Sequence, residues 1–252
     1  MHILVTNDDG IRAKGIRVLS EHLAEIANVT VIAPDRNQSG ISSAISLETP
    51  LRVVEISKNV YQMNGTPADC VKLALSGFLK DPPDMVVSGI NSGPNLGDDV
   101  IYSGTVGGAF EGRFLSLPPI AVSMGGFSDL HYETAAKVTQ KLITQLQQFP
   151  FEPGFLLNIN VPNVPYKKLK GIQVTRQGDR FFSEPLMPTK DGRGKPIYWL
   201  GEAGKIRDGS AGTDFHAISQ NYVSISPMDV NLTVHRKIDA LQNWLNTHEK
   251  TD

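Results

Sequence analysis

The chain has 252 residues, of which 40% are hydrophobic and 20% charged, and its formal net charge is -2. These values are ordinary for one globular α/β protein and argue against disorder, while the lack of a Lys- and Arg-rich block argues against binding of nucleic-acid polymers. The single cysteine, Cys70, excludes an intrachain disulfide and a cysteine-based zinc site.

Short apolar runs alternate with helical patterns through the first two thirds of the chain, which is typical of a parallel sheet covered by helices. The predicted strands cover residues 3–5, 29–33, 85–88, 120–123 and 155–159. The predicted helices cover residues 15–27, 66–79, 105–115 and 134–149, with a β excursion at 51–56 and 60–63.

The pattern changes after Pro162. Residues 171–212 are rich in Gly, Pro, Arg and Asp, and we interpret them as a β-rich arm that contacts a partner subunit. A strand at 223–225 and a helix at 238–246 follow. We therefore predict one domain over 1–252, with a core at about 1–162, an oligomerisation arm at about 171–212, and a C-terminal strand and helix within 222–247.

The N-terminal run does not have the form of a signal peptide, and no apolar run approaches the length of a membrane span. We expect a cytoplasmic protein without a membrane partner.

Three polar clusters follow predicted strands, at residues 7–10, at 37–40 and from 89 onward. In open α/β sheets, ligands bind outside the carboxyl ends of the strands. We therefore expect these three clusters to meet at one edge of the sheet and to form a binding site there.

The first cluster contains two adjacent acids, Asp8 and Asp9. Like charges this close raise each other's pKa, and a divalent cation with its preference for oxygen ligands removes that difficulty. The alternative is a solvated Asp-Asp-Gly turn. The other two clusters add Ser39, which on turn chemistry alone is more often a turn residue than a ligand, and Asn91, whose side-chain carbonyl is a neutral oxygen ligand.

The segment from Gly93 to Gly108 is rich in small residues and precedes a predicted helix. Ser103, Gly104 and Thr105 stand at the start of that helix, where free backbone N–H groups favour an anion such as phosphate. No Gly-Lys-Ser or Gly-Lys-Thr follows, so an ATPase of the Walker type is not expected. The alternative role for Ser103 or Thr105 is helix capping.

Seven motifs occur in one order along the chain and together closely resemble the SurE survival-protein family of 5'/3'-nucleotidases. They are Asn-Asp-Asp-Gly at 7–10, Ala-Pro-Asp-Arg-Asn-Gln-Ser-Gly at 33–40, Gly-Thr-Pro-Ala-Asp-Cys at 65–70, Ser-Gly-Ile-Asn at 88–91, Gly-Pro-Asn-Leu-Gly-Asp-Asp-Val-Ile-Tyr-Ser-Gly-Thr-Val at 93–106, Asn-Ile-Asn-Val-Pro at 158–162 and Thr-Asp at 213–214. The resemblance spans almost the whole chain and is most specific in residues 1–125.

The resemblance implies a Rossmann-like, mostly parallel sheet with helices on both faces and a phosphatase that acts on nucleoside 5'- and 3'-monophosphates. It implies one divalent metal, such as Mg²⁺ or Mn²⁺, and a homodimer or homotetramer that exchanges C-terminal elements. Carried over by motif, the metal ligands are Asp8, Asp9, Ser39 and Asn91. The residues around the phosphate are Asn95, Ser103, Gly104 and Thr105.

His235 is a candidate general acid or base, because the family has a functional histidine in a similar late segment and His titrates near neutral pH. The expected reaction is metal-assisted hydrolysis, in which Asp8 or Asp9 orients or deprotonates a water. Direct attack by Asp8, which would give an aspartyl-phosphate, stays open. A phospho-acceptor receiver domain, or a nucleotide-sensing module without turnover, are the two alternative functions.

Overall fold

The computed structural model describes residues 1–148, 151 and 154–248. The strands are β1 His2–Thr6, β2 Asn28–Pro34, β3 Val53–Ser57, β4 Val60–Met63, β5 Met85–Asn91, β6 Ile120–Gly125, β7 Phe155–Pro162, β8 Ile172–Val174, β9 Asp179–Arg180, β10 Met187–Lys190, β11 Pro196–Trp199, β12 Ile206–Asp208 and β13 Val223–Asp229. The α-helices are α1 Lys14–Leu23, α2 Pro67–Leu73, α3 Gly104–Phe110, α4 Tyr132–Leu146, α5 Asp214–Ser219 and α6 Ile238–His248.

Nine strands form the central sheet, in the order β3-β4-β2-β1-β5-β6-β7-β13-β8. All neighbouring pairs are parallel except β3 with β4 and β7 with β13. The chain passes from β1 outward to β2 and then returns to the other side of β1 as β5. This change of direction beside β1 is the place where α/β sheets bind ligands.

Helices cover both faces of the sheet. Successive side chains of a strand point to opposite faces, and since the buried strands are largely apolar on both, each face presents apolar side chains that need a helix to cover them. Ile3, Val5 and Val87 belong to the core cluster that also contains residues of α1 and α4. Leu4 and Val86 belong to the cluster that contains residues of α2. The expected Rossmann-like α/β architecture is therefore confirmed.

Several predicted elements differ in length from the observed ones. The helix expected at 66–79 ends at Leu73, and an irregular turn over Ala74–Phe78 follows in which Gly77 has a φ of 107°. That left-handed conformation suits glycine and cannot continue an α-helix. The helix expected at 105–115 ends at Phe110, and of the helix expected at 134–149, Phe149 lies outside the described residues.

The segment predicted as an arm does not form one unit in the structure. Its first strand, β8, is the edge strand of the central sheet and pairs with β13. The strands β9 and β12 pair with each other, and β10 and β11 form a separate, exposed hairpin. Across the described residues, no helix is both long enough and apolar enough to span a membrane.

Candidate active site

Asp8 lies just beyond the carboxyl end of β1, at the change of direction in the sheet. Its exposed fraction is 3%, although it is a carboxylate in the loop that follows the strand. The turn that carries it is fixed by the side-chain amide of Asn7, which donates to the carbonyl of Gly10 at 3.0 Å. Gly10 has a φ of 95°, a left-handed conformation that glycine adopts without steric cost.

Two other segments of the chain contact Asp8. The hydroxyl of Thr105 in α3 donates to its carboxylate, and the backbone N–H of Gln38 donates to its carbonyl at 2.7 Å. Burial raises the pKa of Asp8, the Thr105 hydroxyl opposes that rise, and the neighbouring charge of Asp9 adds to it. The ionised form of Asp8 is thus disfavoured, and a bound cation would offset that cost.

Asp9 is half-buried and oriented by the loop after β5. One of its carboxylate oxygens accepts from both the backbone N–H of Ser92, at 3.0 Å, and the Ser92 hydroxyl, at 2.9 Å. The Ser92 hydroxyl is also 2.7 Å from the hydroxyl of Tyr132, at the start of α4. Hydrogen bonds of this kind fix the direction of a carboxylate that binds a metal.

Sequence reasoning did not identify Ser92 or Tyr132 as part of this site. Ser92 directly follows Asn91 in a polar cluster, so its position gave a usable signal. Tyr132 gave none, because a tyrosine at the start of an amphipathic helix is ordinarily a packing residue.

Asn91 is the last residue of β5, next to the segment that holds Asp9. Its side-chain nitrogen donates to the carbonyl of Gly93 at 3.0 Å, which leaves its side-chain oxygen as the available ligand atom. Asn91 is adjacent in the chain to Ser92, whose backbone N–H donates to Asp9.

Ser39 lies in the exposed loop after β2, one residue beyond the Gln38 N–H that binds Asp8. Its backbone N–H and its hydroxyl both donate to the side-chain oxygen of Asn37, at 2.7 Å and 2.6 Å. This is the turn chemistry expected for serine, and it leaves lone pairs on the hydroxyl oxygen. The turn and ligand interpretations of Ser39 are thus compatible.

The donor set fits a hard divalent cation. Within the described part of the chain, no group of three or more His, Cys, Asp and Glu side chains is arranged to hold a metal. The candidate ligands are two carboxylates, one hydroxyl and one amide oxygen, so only two of the four belong to those residue types. Mg²⁺ usually keeps several waters and needs only one or two carboxylates from the protein.

The start of α3 lies directly against Asp8. A Cβ added at Gly104 would lie 2.9 Å from the Cβ of Asp8 and 2.8 Å from Cγ2 of Ile41, so only glycine allows this approach. Ser103 caps the helix, since its hydroxyl oxygen accepts from the N–H of Val106 at 3.1 Å. Thr105 does not cap, because its hydroxyl is directed to Asp8.

Asn95 is buried, although it lies in a loop, and it forms hydrogen bonds with side chains of β6 and β7. Its side-chain nitrogen donates to the Ser123 hydroxyl at 2.7 Å, and its backbone N–H donates to the side-chain oxygen of Asn160 at 2.9 Å. Its carbonyl accepts from the side chains of both Asn158 and Asn160. The backbone of the Gly-rich segment is thereby attached to β6 and β7.

His235 is exposed and lies in the short helical turn His235–Lys237 before α6. Its Nε2 is 3.0 Å from the side-chain nitrogen of Asn231. Among the described residues of one chain, no hydrogen bond joins it to Asp8 or Asp9. Its role as an acid or base stays a prediction.

Comparison with known proteins identifies the family of the chain. The family model described as Survival protein SurE matches residues 3–184. The chain belongs to the SurE family.

Relatives in the family cover nearly the whole chain. Proteins named 5'-nucleotidase SurE from Coxiella burnetii (strain RSA 331 / Henzerling II) and Nitrosococcus oceani are 50% and 51% identical over 245 residues, which is 97% of this chain and 95% and 98% of theirs. The crystal structure of the SurE protein from Aquifex aeolicus has a TM-score of 0.86 and 40% identity, and the match covers 97% of this chain and 99% of that one.

The first prediction concerns the two acids. Asp8→Asn and Asp9→Asn should each weaken binding of Mn²⁺ at least roughly 100-fold, since loss of a supporting partner alone usually costs 10- to 100-fold. Asp8→Asn should not lower the melting temperature of the metal-free protein, because the variant removes a carboxylate whose charge is disfavoured by burial. Titration calorimetry and thermal unfolding measure both effects.

Asp35→Asn is the matched control, because Asp35 is an exposed acid in the loop after β2. It should leave Mn²⁺ affinity within about two-fold of the wild type, as a screened surface charge contributes little. Equal Mn²⁺ affinity in all three variants would remove the metal site from this position.

The second prediction separates Ser103 from Thr105. Ser103→Ala should lower the free energy of unfolding by about 1 kcal/mol through loss of the cap. Thr105→Val keeps the shape but removes the hydroxyl bond to Asp8, so it should change metal affinity and turnover more than stability. Urea unfolding and calorimetry on both variants give the comparison; the reverse pattern would contradict the assignment of the two hydroxyls.

Proposed function

We propose that the protein is a metal-dependent phosphomonoesterase that hydrolyses nucleoside 5'- and 3'-monophosphates to nucleoside and phosphate. The observation that carries this proposal is the contact between the start of α3 and the buried acid Asp8, beside a second acid, Asp9. A phosphate needs both a cation and backbone N–H donors, and this arrangement offers a place for each. The names of the relatives support the same activity.

The proposed ligands of one Mg²⁺ or Mn²⁺ are Asp8, Asp9, Ser39 and Asn91. When bound, the cation neutralises negative charge on the phosphoryl oxygens. The Thr105 hydroxyl and Ser92 hold the two carboxylates in fixed directions.

The phosphate is proposed to lie at the start of α3. The N–H groups of Gly104 and Thr105 are among the first in the helix and have no partner within it. The absence of a side chain at Gly104 keeps this end of the helix open toward Asp8. Ser103, with its hydroxyl at the same helix end, and Asn95, in the preceding loop, complete the proposed phosphate residues.

Hydrolysis forms one P–O bond to the oxygen of water and breaks the P–O bond to the nucleoside, whose oxygen receives a proton. Asp8 or Asp9 orients the attacking water and takes its proton in one route. In the other, Asp8 attacks phosphorus directly and water then releases the phosphate. His235 is the proposed proton donor only if a second subunit brings it to the site.

A cavity beside Ser103 supports a nucleoside as the leaving group. It has a volume of about 480 Å³, within the range of sites that bind small molecules, and its walls include Phe110 and Met228. Asp98 and Asp229 also line it and are exposed. Apolar walls suit a base, and the carboxylates suit its amino group or the ribose hydroxyls.

The test of this function is phosphate release by metal-stripped protein after Mg²⁺, Mn²⁺, Co²⁺ or Zn²⁺ is added, with nucleoside 5'- and 3'-monophosphates and with phenyl phosphate. We expect metal-dependent release over many turnovers and a kcat/KM at least about ten-fold higher for the nucleotides, because only they fill the cavity. Val230→Trp, at an exposed position of the cavity lining, should raise KM for nucleotides and spare phenyl phosphate.

Val54→Trp is the control, because Val54 on β3 is exposed and does not line the cavity. Stable labelling of the protein by acetyl phosphate, with no release from AMP, would favour a receiver domain. Binding of AMP without turnover would favour a sensing module.

The protein is also proposed to form a homodimer or homotetramer through its C-terminal third. Phe182 and Leu200 in the predicted arm are 96% and 92% exposed, and Trp199 is exposed as well. Leu241 and Leu245 form an exposed apolar pair one turn apart on α6. Apolar surface of this extent ordinarily marks a protein interface. A cytoplasmic location, expected from the sequence, stays a prediction.

Light scattering should therefore give a mass of two or four times 27.5 kDa at micromolar concentration. Leu241→Glu with Leu245→Glu should reduce that mass, because charges in an apolar interface are costly. Gln242→Glu with Asn246→Glu, on polar positions of the same helix, should not. A monomer in the wild type, or equal masses in both double variants, would contradict the proposal.

A further inference from the structure

Asp214, the first residue of α5, is a carboxylate with an exposed fraction of 0%. One of its oxygens accepts from the N–H of Gly97 at 2.7 Å. The other accepts from the N–H of Gly178 and of Phe215, both at 2.9 Å. A single side chain thus joins the start of α5 to two segments that are far from it in the sequence.

Within the part of the chain that the structure describes, no cationic side chain forms a close ion pair with this carboxylate, and the Arg176 guanidinium interacts with it only at longer range. A buried charge without such a partner is costly unless its oxygens receive several hydrogen bonds. The three N–H donors supply them. The positions of these N–H groups therefore depend on Asp214. The side chain holds the backbone at Gly97 and the backbone at Gly178 in fixed positions relative to each other.

The segment held at Gly97 leads directly into the proposed phosphate site. Gly97 follows Asn95 by two residues and begins the helical turn Gly97–Tyr102, which Ser103 directly follows. Gly97 has a φ of 57°, and a Cβ there would lie 2.6 Å from the ring of Phe215. It is thus fixed both by its backbone conformation and by close packing on α5.

The segment held at Gly178 is the base of the predicted arm, and it makes further bonds to the same turn. The side chain of Gln177 donates to the carbonyl of Gly97 at 2.7 Å. Arg180 binds the carboxylate of Asp99 at 2.6 Å, and its guanidinium lies 4.7 Å from the ring centre of Phe215. Gly97 is therefore held at both its N–H and its C=O by residues of the C-terminal third.

We propose that Asp214 is a positioning residue for phosphate binding, which fixes the 95–103 segment through Gly97 and couples it to the base of the arm. The inference rests on the proposed function, since it assigns the phosphate to this segment. Asp214 acts through the backbone that it holds and does not touch the substrate.

The experiment compares Asp214→Asn with the wild type in three measurements, which are AMP hydrolysis, calorimetric binding of inorganic phosphate, and calorimetric binding of Mn²⁺. The asparagine has nearly the same shape, but its NH₂ group would oppose one of the backbone N–H groups. We expect KM for AMP and the Kd for phosphate to rise roughly 10- to 100-fold, since small misplacements cost about that much. Mn²⁺ affinity should stay within about three-fold, because Asp8 and Asp9 are held by other bonds.

Thr213→Val is the matched structural control. The Thr213 hydroxyl caps α5 by accepting from the N–H of His216, and it donates to the carbonyl of Ser210, but it does not contact Gly97. The variant should lower the melting temperature while leaving KM for AMP nearly unchanged. Gln177→Leu removes the second bond to Gly97 and should raise the phosphate Kd about three- to ten-fold, even if Asp214→Asn fails to fold. Its KM for AMP does not enter the comparison, because the Gln177 side chain also lines the proposed nucleoside cavity.

Unchanged phosphate affinity in both Asp214→Asn and Gln177→Leu would overturn the inference, as would an equal rise in KM for Thr213→Val. If Asp214→Asn does not fold, the phosphate Kd of Gln177→Leu alone decides. A wild type that binds phosphate without hydrolysing AMP would reject the proposed function, and the phosphate affinities of the variants would still test the role of Asp214.

Discussion

Burial of the Asp8 carboxylate is the constraint on which the arrangement of the site depends. An acid that is 97% removed from solvent is stable only if other groups compensate for its charge, and three segments of the chain meet there. The Thr105 hydroxyl supplies one bond, and the loop at Gln38 holds the Asp8 backbone. The requirement for glycine at 104 follows, because α3 must begin in contact with the acid to deliver that hydroxyl.

The convergence of the site could be predicted from the sequence, because it follows from one rule of α/β sheets. Polar residues after β1, β2 and β5 were expected to meet at the carboxyl edge, and the strand order β2-β1-β5 makes these three ends direct neighbours. Asp9 then contacts Ser92 after β5, and Asp8 contacts Gln38 after β2. The polar residues at the strand ends and the expected type of sheet were therefore sufficient to predict which segments meet at the site.

The partners of individual side chains could not be predicted, because they depend on packing between distant segments. Ser103 and Thr105 have the same capping chemistry, and only the contact of α3 with Asp8 makes Ser103 the cap and Thr105 the donor. Asn95 is anchored by Asn158 and Asn160 of β7, more than 60 residues along the chain. No local pattern indicates such pairings, just as no pattern in α4 linked Tyr132 to Ser92.

Asp8 and Asp214 are both buried carboxylates, but they differ in how the chain compensates for their charge. Asp214 has three backbone N–H donors on its two oxygens, so its charge is compensated by the chain itself. Asp8 has one side-chain hydroxyl on its carboxylate and a second acid beside it, and both burial and that neighbour raise its pKa. A carboxylate that the fold compensates can only hold structure in place. One that the fold leaves undercompensated gains by binding a cation, and the bonds from Thr105 and Gln38 hold Asp8 in position to do so.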